Sequence, residues 1–174
     1  MSTVEIFAAF SAGRDEDART LVFEYMAATV AETSGRQAPA AADDLPKSLR
    51  DECARLAAVY RSPGTLLLGY AGGEAAGCAG LAYRGGRTAE VKRLYVRPAH
   101  RGQGVARALM ARLHSHAATQ GIEQVILDVM RSRTDATGFY RRLGYTDTEP
   151  FPTRSPVPMV YLRRAVGPAD VRVP

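Results

Sequence analysis

The chain has 174 residues, 46% hydrophobic and 24% charged, which suits one globular domain with a full core. Its net charge of +5 would suit an acidic partner, yet only Lys47 and Lys92 are lysine among 23 basic residues. The arginines are spread along the chain and none clusters with aromatics, which argues against nucleic-acid binding. No apolar run approaches the roughly 20 residues needed to span a membrane.

Residues 3–10 read as a strand, and Asp15 to about Val30 as a helix with Leu21, Val22, Tyr25 and Met26 inward. Residues 34–44, alanine-rich with Gly35 and Pro39, read as a loop of a length that often carries function. Pro46 opens a second helix to about Tyr60, with Leu49, Cys53, Leu56 and Tyr60 inward. Thr65 to Tyr70 and Ala75 to Arg84 read as strands around Gly72-Gly73, and Gly85-Gly86 turns the chain into a strand from Thr88 to Val96. A helix follows in which Val105, Leu109, Leu113 and Ala117 recur every four residues. Residues 123–130 read as a buried strand, 134–142 as a short helix and 157–164 as a last strand. No repeat or linker interrupts this order. A single domain over 1–166 is expected, with 167–174 as a loose tail.

Cys53 and Cys78 lie in different elements without C-x-x-C spacing, so both are expected as free thiols packed in the core. The amino terminus lacks a basic region followed by an apolar run, and the default expectation is the cytoplasm.

The most informative stretch is R-G-Q-G-V-A, residues 101–106, between a strand and an amphipathic helix. Gly102 and Gly104 remove two Cβ atoms where the helix begins, so a ligand can approach bare backbone N–H groups. Unpaired donors and a partial positive charge at such a terminus suit an anion. The alternative is a pair of glycines that merely cap a helix. A P-loop is excluded because neither lysine nor hydroxyl follows Gly104. A dinucleotide fingerprint is excluded because Arg107 stands where its third glycine belongs, and four residues separate Val96 from Arg101.

The run from Ala89 to Met110 resembles the acetyl-coenzyme A binding core of the GNAT superfamily (GCN5-related N-acetyltransferases). Its Q/R-x-x-G-x-G/A signature is met by Arg101, Gly104 and Ala106, and its terminal Y-x-x-x-G-[FY] by Tyr140, Gly144 and Tyr145. The resemblance covers roughly residues 65–165. It implies a mixed α/β (α+β) fold, a largely antiparallel central sheet flanked by helices, with a wedge between strands 89–96 and 123–130. It also implies acetyl-coenzyme A as co-substrate, with no metal.

Roles follow from the same resemblance. The backbone of Leu94, Tyr95 and Val96 would pair with pantetheine amides as another strand would. The N–H groups of Gly102, Gln103, Gly104, Val105, Ala106 and Arg107 would hold the pyrophosphate, with charge added by Arg101 and Arg107. Tyr140 stands at the general-acid position, its alternative being a tyrosine packed against the cofactor. Glu90 matches a glutamate used as general base, its alternative being an exposed partner of Lys92 on the same strand face. A backbone N–H near Leu94 would receive the oxyanion. Arg133 stands where many members place an asparagine, so it would reach a phosphate or acidic substrate, or face solvent.

Other residues point elsewhere. His114 and His116, two apart on a helix, lie on different faces and do not make a metal pair. Asp128 reads as structural, and Phe151 as a candidate pocket residue. The expected reaction is acetyl transfer to a primary amine of a small molecule or amino-acid-like acceptor. Acylation of protein amino termini or lysines, and a non-catalytic acyl-coenzyme A sensor, are the alternatives. The last strand, with Val160, Tyr161 and Leu162, is where a homodimer would pair.

Overall fold

The computed structural model describes residues 3–11, 13–153 and 155–171. Its strands are β1 (Val4–Ala8), β2 (Thr65–Ala71), β3 (Glu74–Gly85), β4 (Thr88–Val96), β5 (Gln124–Met130), β6 (Thr146–Asp147) and β7 (Met159–Ala165). They form one sheet in the order β1-β2-β3-β4-β5-β7-β6, and only the β4–β5 neighbours run parallel. The helices are α1 (Asp15–Ser34), α2 (Lys47–Ala54), α3 (Leu56–Val59), α4 (Val105–Thr119) and α5 (Thr134–Arg142). No helix among the described residues is long and apolar enough to cross a membrane.

Turn chemistry sets the antiparallel half. Gly72 and Gly73 both take positive φ, so β2 and β3 are joined by a two-residue turn with Ala71 opposite Glu74. Gly86 and Arg87 do the same between β3 and β4, where Gly85 faces Thr88. β3 is then lined by small residues from Ala75 to Gly80, which lets elements on both faces approach closely. A Cβ on Gly80 would sit 2.3 Å from the Tyr60 ring, and one on Gly69 in β2 would sit 2.9 Å from Val105.

Two cores result, one on each face of the sheet. On one face α4 buries Val105, Leu109, Met110 and Leu113 against Val125 and Leu127 of β5. On the other, Leu21, Val22 and Met26 of α1 pack with Leu45, Cys53, Leu56 and Tyr60. Each such side chain contributes about 1.5–3 kcal/mol by leaving water. Cys53 and Cys78 are both free and buried, and burial pushes the Cys78 thiol up to about 12.

Several boundaries differ from the reading of the sequence. α1 runs on to Ser34 and is stopped by Gly35, whose left-handed backbone lets its N–H reach Ala31. The expected loop is therefore shorter, and it ends in a 3-10 turn over Ala42–Asp44. The helix expected from Pro46 to Tyr60 breaks at Arg55, whose φ of −128° is not helical. The break swings Tyr60 under Gly80 while Glu52 stays directed at β4. Residues 168–170, expected to be loose, form a 3-10 turn held by Arg164 on Asp170. The residues after 171 lie outside the described ones. The two-residue strand β6 was not anticipated: it pairs with Leu162 and Arg163 on the outer edge of β7, the edge expected to pair in a homodimer.

Candidate functional site

The parallel neighbours β4 and β5 pair only over Thr88–Glu90 and Gln124–Ile126, and then separate. Beyond that point β4 carries a bulge. Gly80 faces Lys92 and Cys78 faces Tyr95, so Arg93 and Leu94 together stand opposite Ala79, and Arg93 takes a φ of 60°. The extra residue shifts the strand's alternation by one. Glu90 faces Ala82 on the α1 side, and after the bulge Arg93 and Tyr95 point to that same side. Leu94 and Val96 instead pack toward α4. A cavity of about 850 Å³ opens in the wedge, and Glu90, Leu94, Arg133 and Tyr140 all line it.

The glycine turn sits at the mouth of α4. A 3-10 turn over Pro98–His100 leads into Gly102 and Gly104, with φ of 76° and 85°. A Cβ on either would meet nothing within 4 Å, so both face open space. Positive φ, not crowding, is what calls for glycine here. Val105 is buried and anchors the helix, and Ala108 is the residue whose N–H bonds back to Gly104. The first-turn N–H groups before it therefore lack intrahelical acceptors. Side chains add little: Gln103 donates back to the Ala99 carbonyl and Arg101 to that of Val96. Arg107 is exposed and has no polar partner among the described residues.

Glu90 is buried, 4% exposed, rather than an exposed strand residue. Arg84 binds its Oε2 through both Nε and Nη2, while Lys92 Nζ stands 3.9 Å from Oε1. Oε1 accepts no hydrogen bond among the described residues, and Glu90 lines the cavity. Arg84 escaped the sequence reading because it occupies an irregularity in the β3–β4 register, between the Tyr83–Ala89 and Gly85–Thr88 pairs. Period-two alternation cannot place such a residue.

Tyr140 projects from α5 into the same cavity, its ring against Phe139 and Tyr145 at 5.5 and 5.6 Å. Nothing among the described residues hydrogen-bonds its hydroxyl. Burial first, then the nearby Tyr25 and Asp128, raise its pKa well above the ordinary phenol value, against the opposing charge of Arg133. The phenol keeps its proton.

Arg133, at the start of α5, is half-buried and does not stand free. It donates to Glu32 at 2.6 and 3.1 Å and to Thr29 at 3.3 Å, both on α1, at the cavity rim. These partners lie about a hundred residues away in sequence, and nothing local signals them. A second cross-element pair, also missed, lies deeper. Arg93 binds Glu52 of α2 through two bonds of 2.9 and 2.6 Å, and Tyr60 donates to the same carboxylate. Burial raises the Glu52 pKa, but the Arg93 bonds and charge outweigh it and hold the group below its usual value. Asp128 on β5 also lines the cavity, accepting a 2.6 Å bond from Thr153. Phe151 packs on Tyr161 instead, and its neighbours Pro152 and Thr153 line the cavity. His114 bonds the Tyr145 hydroxyl and His116 lies 3.0 Å from the Pro63 carbonyl, so the two histidines are turned apart. No group of potential metal ligands occurs among the described residues.

A family model described as the Acetyltransferase (GNAT) family matches residues 28–145. An IAA acetyltransferase of Azospirillum brasilense is 31% identical over 88 residues, covering 50% of this chain and 58% of that protein. An uncharacterized N-acetyltransferase of Schizosaccharomyces pombe is 33% identical over 93 residues, covering 52% and 56%. The chain thus spans less than two thirds of the length of these curated relatives. Among solved structures, an acetyltransferase of the GNAT family from Staphylococcus aureus superposes with a TM-score of 0.71 at 13% identity, over 94% of this chain and 99% of that one. A Salmonella typhimurium structure described with its cofactor acetyl-CoA superposes with a TM-score of 0.68 at 20% identity, over 93% of each. At these identities the likeness is one of fold.

Proposed function

Since this chain belongs to the GNAT acetyltransferase family, we propose that it transfers an acetyl group from acetyl-coenzyme A to a primary amine of a small molecule. The observation that carries this reading is one cavity holding a buried carboxylate and a protonated phenol, in a chain that also has an open backbone cradle at the mouth of α4. The residues fit the donor. The N–H groups of 102–107 suit a pyrophosphate, and the separated edge of β4 at Leu94, Tyr95 and Val96 suits the amides of a pantetheine arm. The thioester of the donor supplies an acyl group already activated toward amines.

The chain's part is to position two reactants and move two protons. Glu90, fixed through Oε2 by Arg84, offers Oε1 to the ammonium of the acceptor, directly or through water. The freed amine would form the C–N bond as the C–S bond breaks, and its second proton would pass to solvent, which returns a proton to Tyr140 and takes up the one held by Glu90. The bulge takes Arg93 and Leu94 out of the β3–β4 register, and a backbone N–H there is where a developing oxyanion would be met. Tyr140 then gives its proton to sulfur. Burial that raises the phenol would raise the basicity of a thiolate shed beside it in the same way, which favours the transfer. The free, buried thiols of Cys53 and Cys78 are compatible with the cytoplasm, where we place the reaction.

Thiol release from acetyl-coenzyme A over an amine panel tests the reading. Tyr140→Phe should lower turnover by about a hundredfold with coenzyme A affinity unchanged. Tyr140→Phe with wild-type turnover at every pH contradicts the acid role, and Glu90→Gln is the matching test of the base.

A further inference from the structure

The charges around the cavity do not all cancel. Arg93 is closed by Glu52, Arg133 by Glu32, and Arg84 by Glu90. Two groups of opposite sign are left over. Lys92 Nζ is 3.9 Å from Glu90 Oε1, beyond hydrogen-bond reach, and the carboxylate that it faces is already held by Arg84. Asp128 has no cation against it among the described residues. Its Oδ2 takes the Thr153 hydroxyl, and its Oδ1 accepts nothing among the described residues.

Strand geometry places these two groups usefully. Glu90 is in register with Ile126, and Asp128 stands two residues farther along β5, roughly 7 Å toward the open end of the wedge. Residues two apart share a sheet face, so Asp128 lies on the face of Ile126, as Lys92 lies on that of Glu90. Its charge also reaches Tyr140, where it helps the phenol hold its proton. A carboxylate of this kind has a clear use. An ammonium leaving water needs a counter-charge, and the charge of Glu90 is already met by Arg84.

We infer that the acceptor is an amine that also carries an anionic group, its ammonium docking on Asp128 and its anion on Lys92. The inference deepens the amine-acetylation reading and rests on it for the identity of the reacting nitrogen. Asp128 binds and orients the ammonium, and the proton leaves toward Glu90. Amino carboxylates match both charges. A simple alkylamine satisfies one, and a diamine sets a second cation against Lys92, which counts against it.

Calorimetry on the protein saturated with coenzyme A tests this, because the free thiol binds without turnover. The probes are amino carboxylates from glycine to 6-aminohexanoate, each set against the alkylamine of the same length. At least one amino carboxylate should bind about tenfold or more tightly than its alkylamine. Asp128→Asn, which is isosteric and keeps the Thr153 contact, should weaken both classes by about ten- to a hundredfold, and Asp128→Glu should restore part of the loss. Lys92→Met should erase the difference between the classes. Coenzyme A affinity should be unchanged in all three variants, which confirms that they fold. Alkylamines that bind as well as amino carboxylates overturn the inference, as does Asp128→Asn binding like the wild type. Thiol release with the same compounds separates the two ideas. Binding that depends on Asp128 without thiol release removes the acetylation reading and leaves the acceptor site. Turnover that ignores Asp128 does the reverse.

Discussion

The two walls of the proposed site are built from different materials. Around Gly102 and Gly104 the surface is backbone: both glycines face open space, Arg107 is unpaired among the described residues, and Gln103 turns back on its own loop. Around Glu90 the surface is side chain, drawn from β3, β4, β5, α1, α2 and α5 and tied by ion pairs across them. A ligand held by backbone donors can be recognised on any sequence that makes the turn. One held by side chains from six elements is specific to this chain. The difference explains why the donor is named by a short motif and the acceptor is not.

Substitutions can break that contrast from either side. The largest effect is expected at Glu52, whose loss leaves the Arg93 guanidinium buried without its partner and removes the acceptor for Tyr60. Glu52→Ala should cost about 3 kcal/mol or more in urea unfolding, and should lower turnover as the bulge shifts. A cost below about 1 kcal/mol would mean that the acceptor wall does not depend on its ion pairs.

Behind the site, α4 is tied to the chain just after α5 by the bond between His114 and Tyr145. Burial first, then Arg164, depresses the His114 pKa to about 4, against the opposing charge of Asp170. Above pH 6.5 the ring is neutral whether folded or not, and its contribution to stability is fully present. As pH falls from 6.5 toward about 4 the unfolded chain takes up a proton that the buried ring does not, so stability is lost through that window. At pH 4.5 the loss from this one group is about 2.5 kcal/mol. Unfolding of His114→Gln at pH 7.5 and 4.5 should show a correspondingly smaller drop than the wild type, and an equal drop would count against the shift.

On the backbone wall, Gly104→Ala forces a side chain into the left-handed region at a φ of 85°. That costs about 1–2 kcal/mol and reshapes the cradle, so acetyl-coenzyme A affinity should fall at least about tenfold. The smallest effect sharpens the comparison most. Gln103→Ala leaves the backbone donors in place and should change affinity by less than about twofold. If Gln103→Ala weakens binding as much as Gly104→Ala, the cradle is made of side chains after all.

The same division governs what could be read before the fold was known. Gly102 and Gly104 were legible because backbone conformation is a local property, whereas Tyr140 was named only by the resemblance that its spacing to Gly144 and Tyr145 carries. The strands at 65–70, 75–84 and 88–96 were legible because paired glycines leave few other turns for the chain to make. Glu90 was legible as a residue but not as an environment: Arg84 reaches it from a register irregularity that alternation cannot foresee. The bulge at Arg93 had the same effect on a larger scale, turning Arg93 and Tyr95 to the face that simple alternation assigns to Leu94. Arg55 broke a helix whose periodicity was sound, and beyond the break Tyr60 packs under Gly80, a contact distant in sequence that periodicity cannot show. Asp128, Arg133 and Glu52 were illegible for one reason: their partners lie in elements distant in sequence.

Crystals grown with acetyl-coenzyme A offer the most direct test of the central claim, that one wedge brings donor and acceptor groups together. The account predicts pyrophosphate oxygens about 3 Å from the N–H groups of residues 102–107. It also predicts the thioester carbonyl at Leu94 and the sulfur beside the Tyr140 hydroxyl. Pyrophosphate density away from the α4 mouth, or a thioester on the far side of β4 from Glu90 and Tyr140, would contradict it.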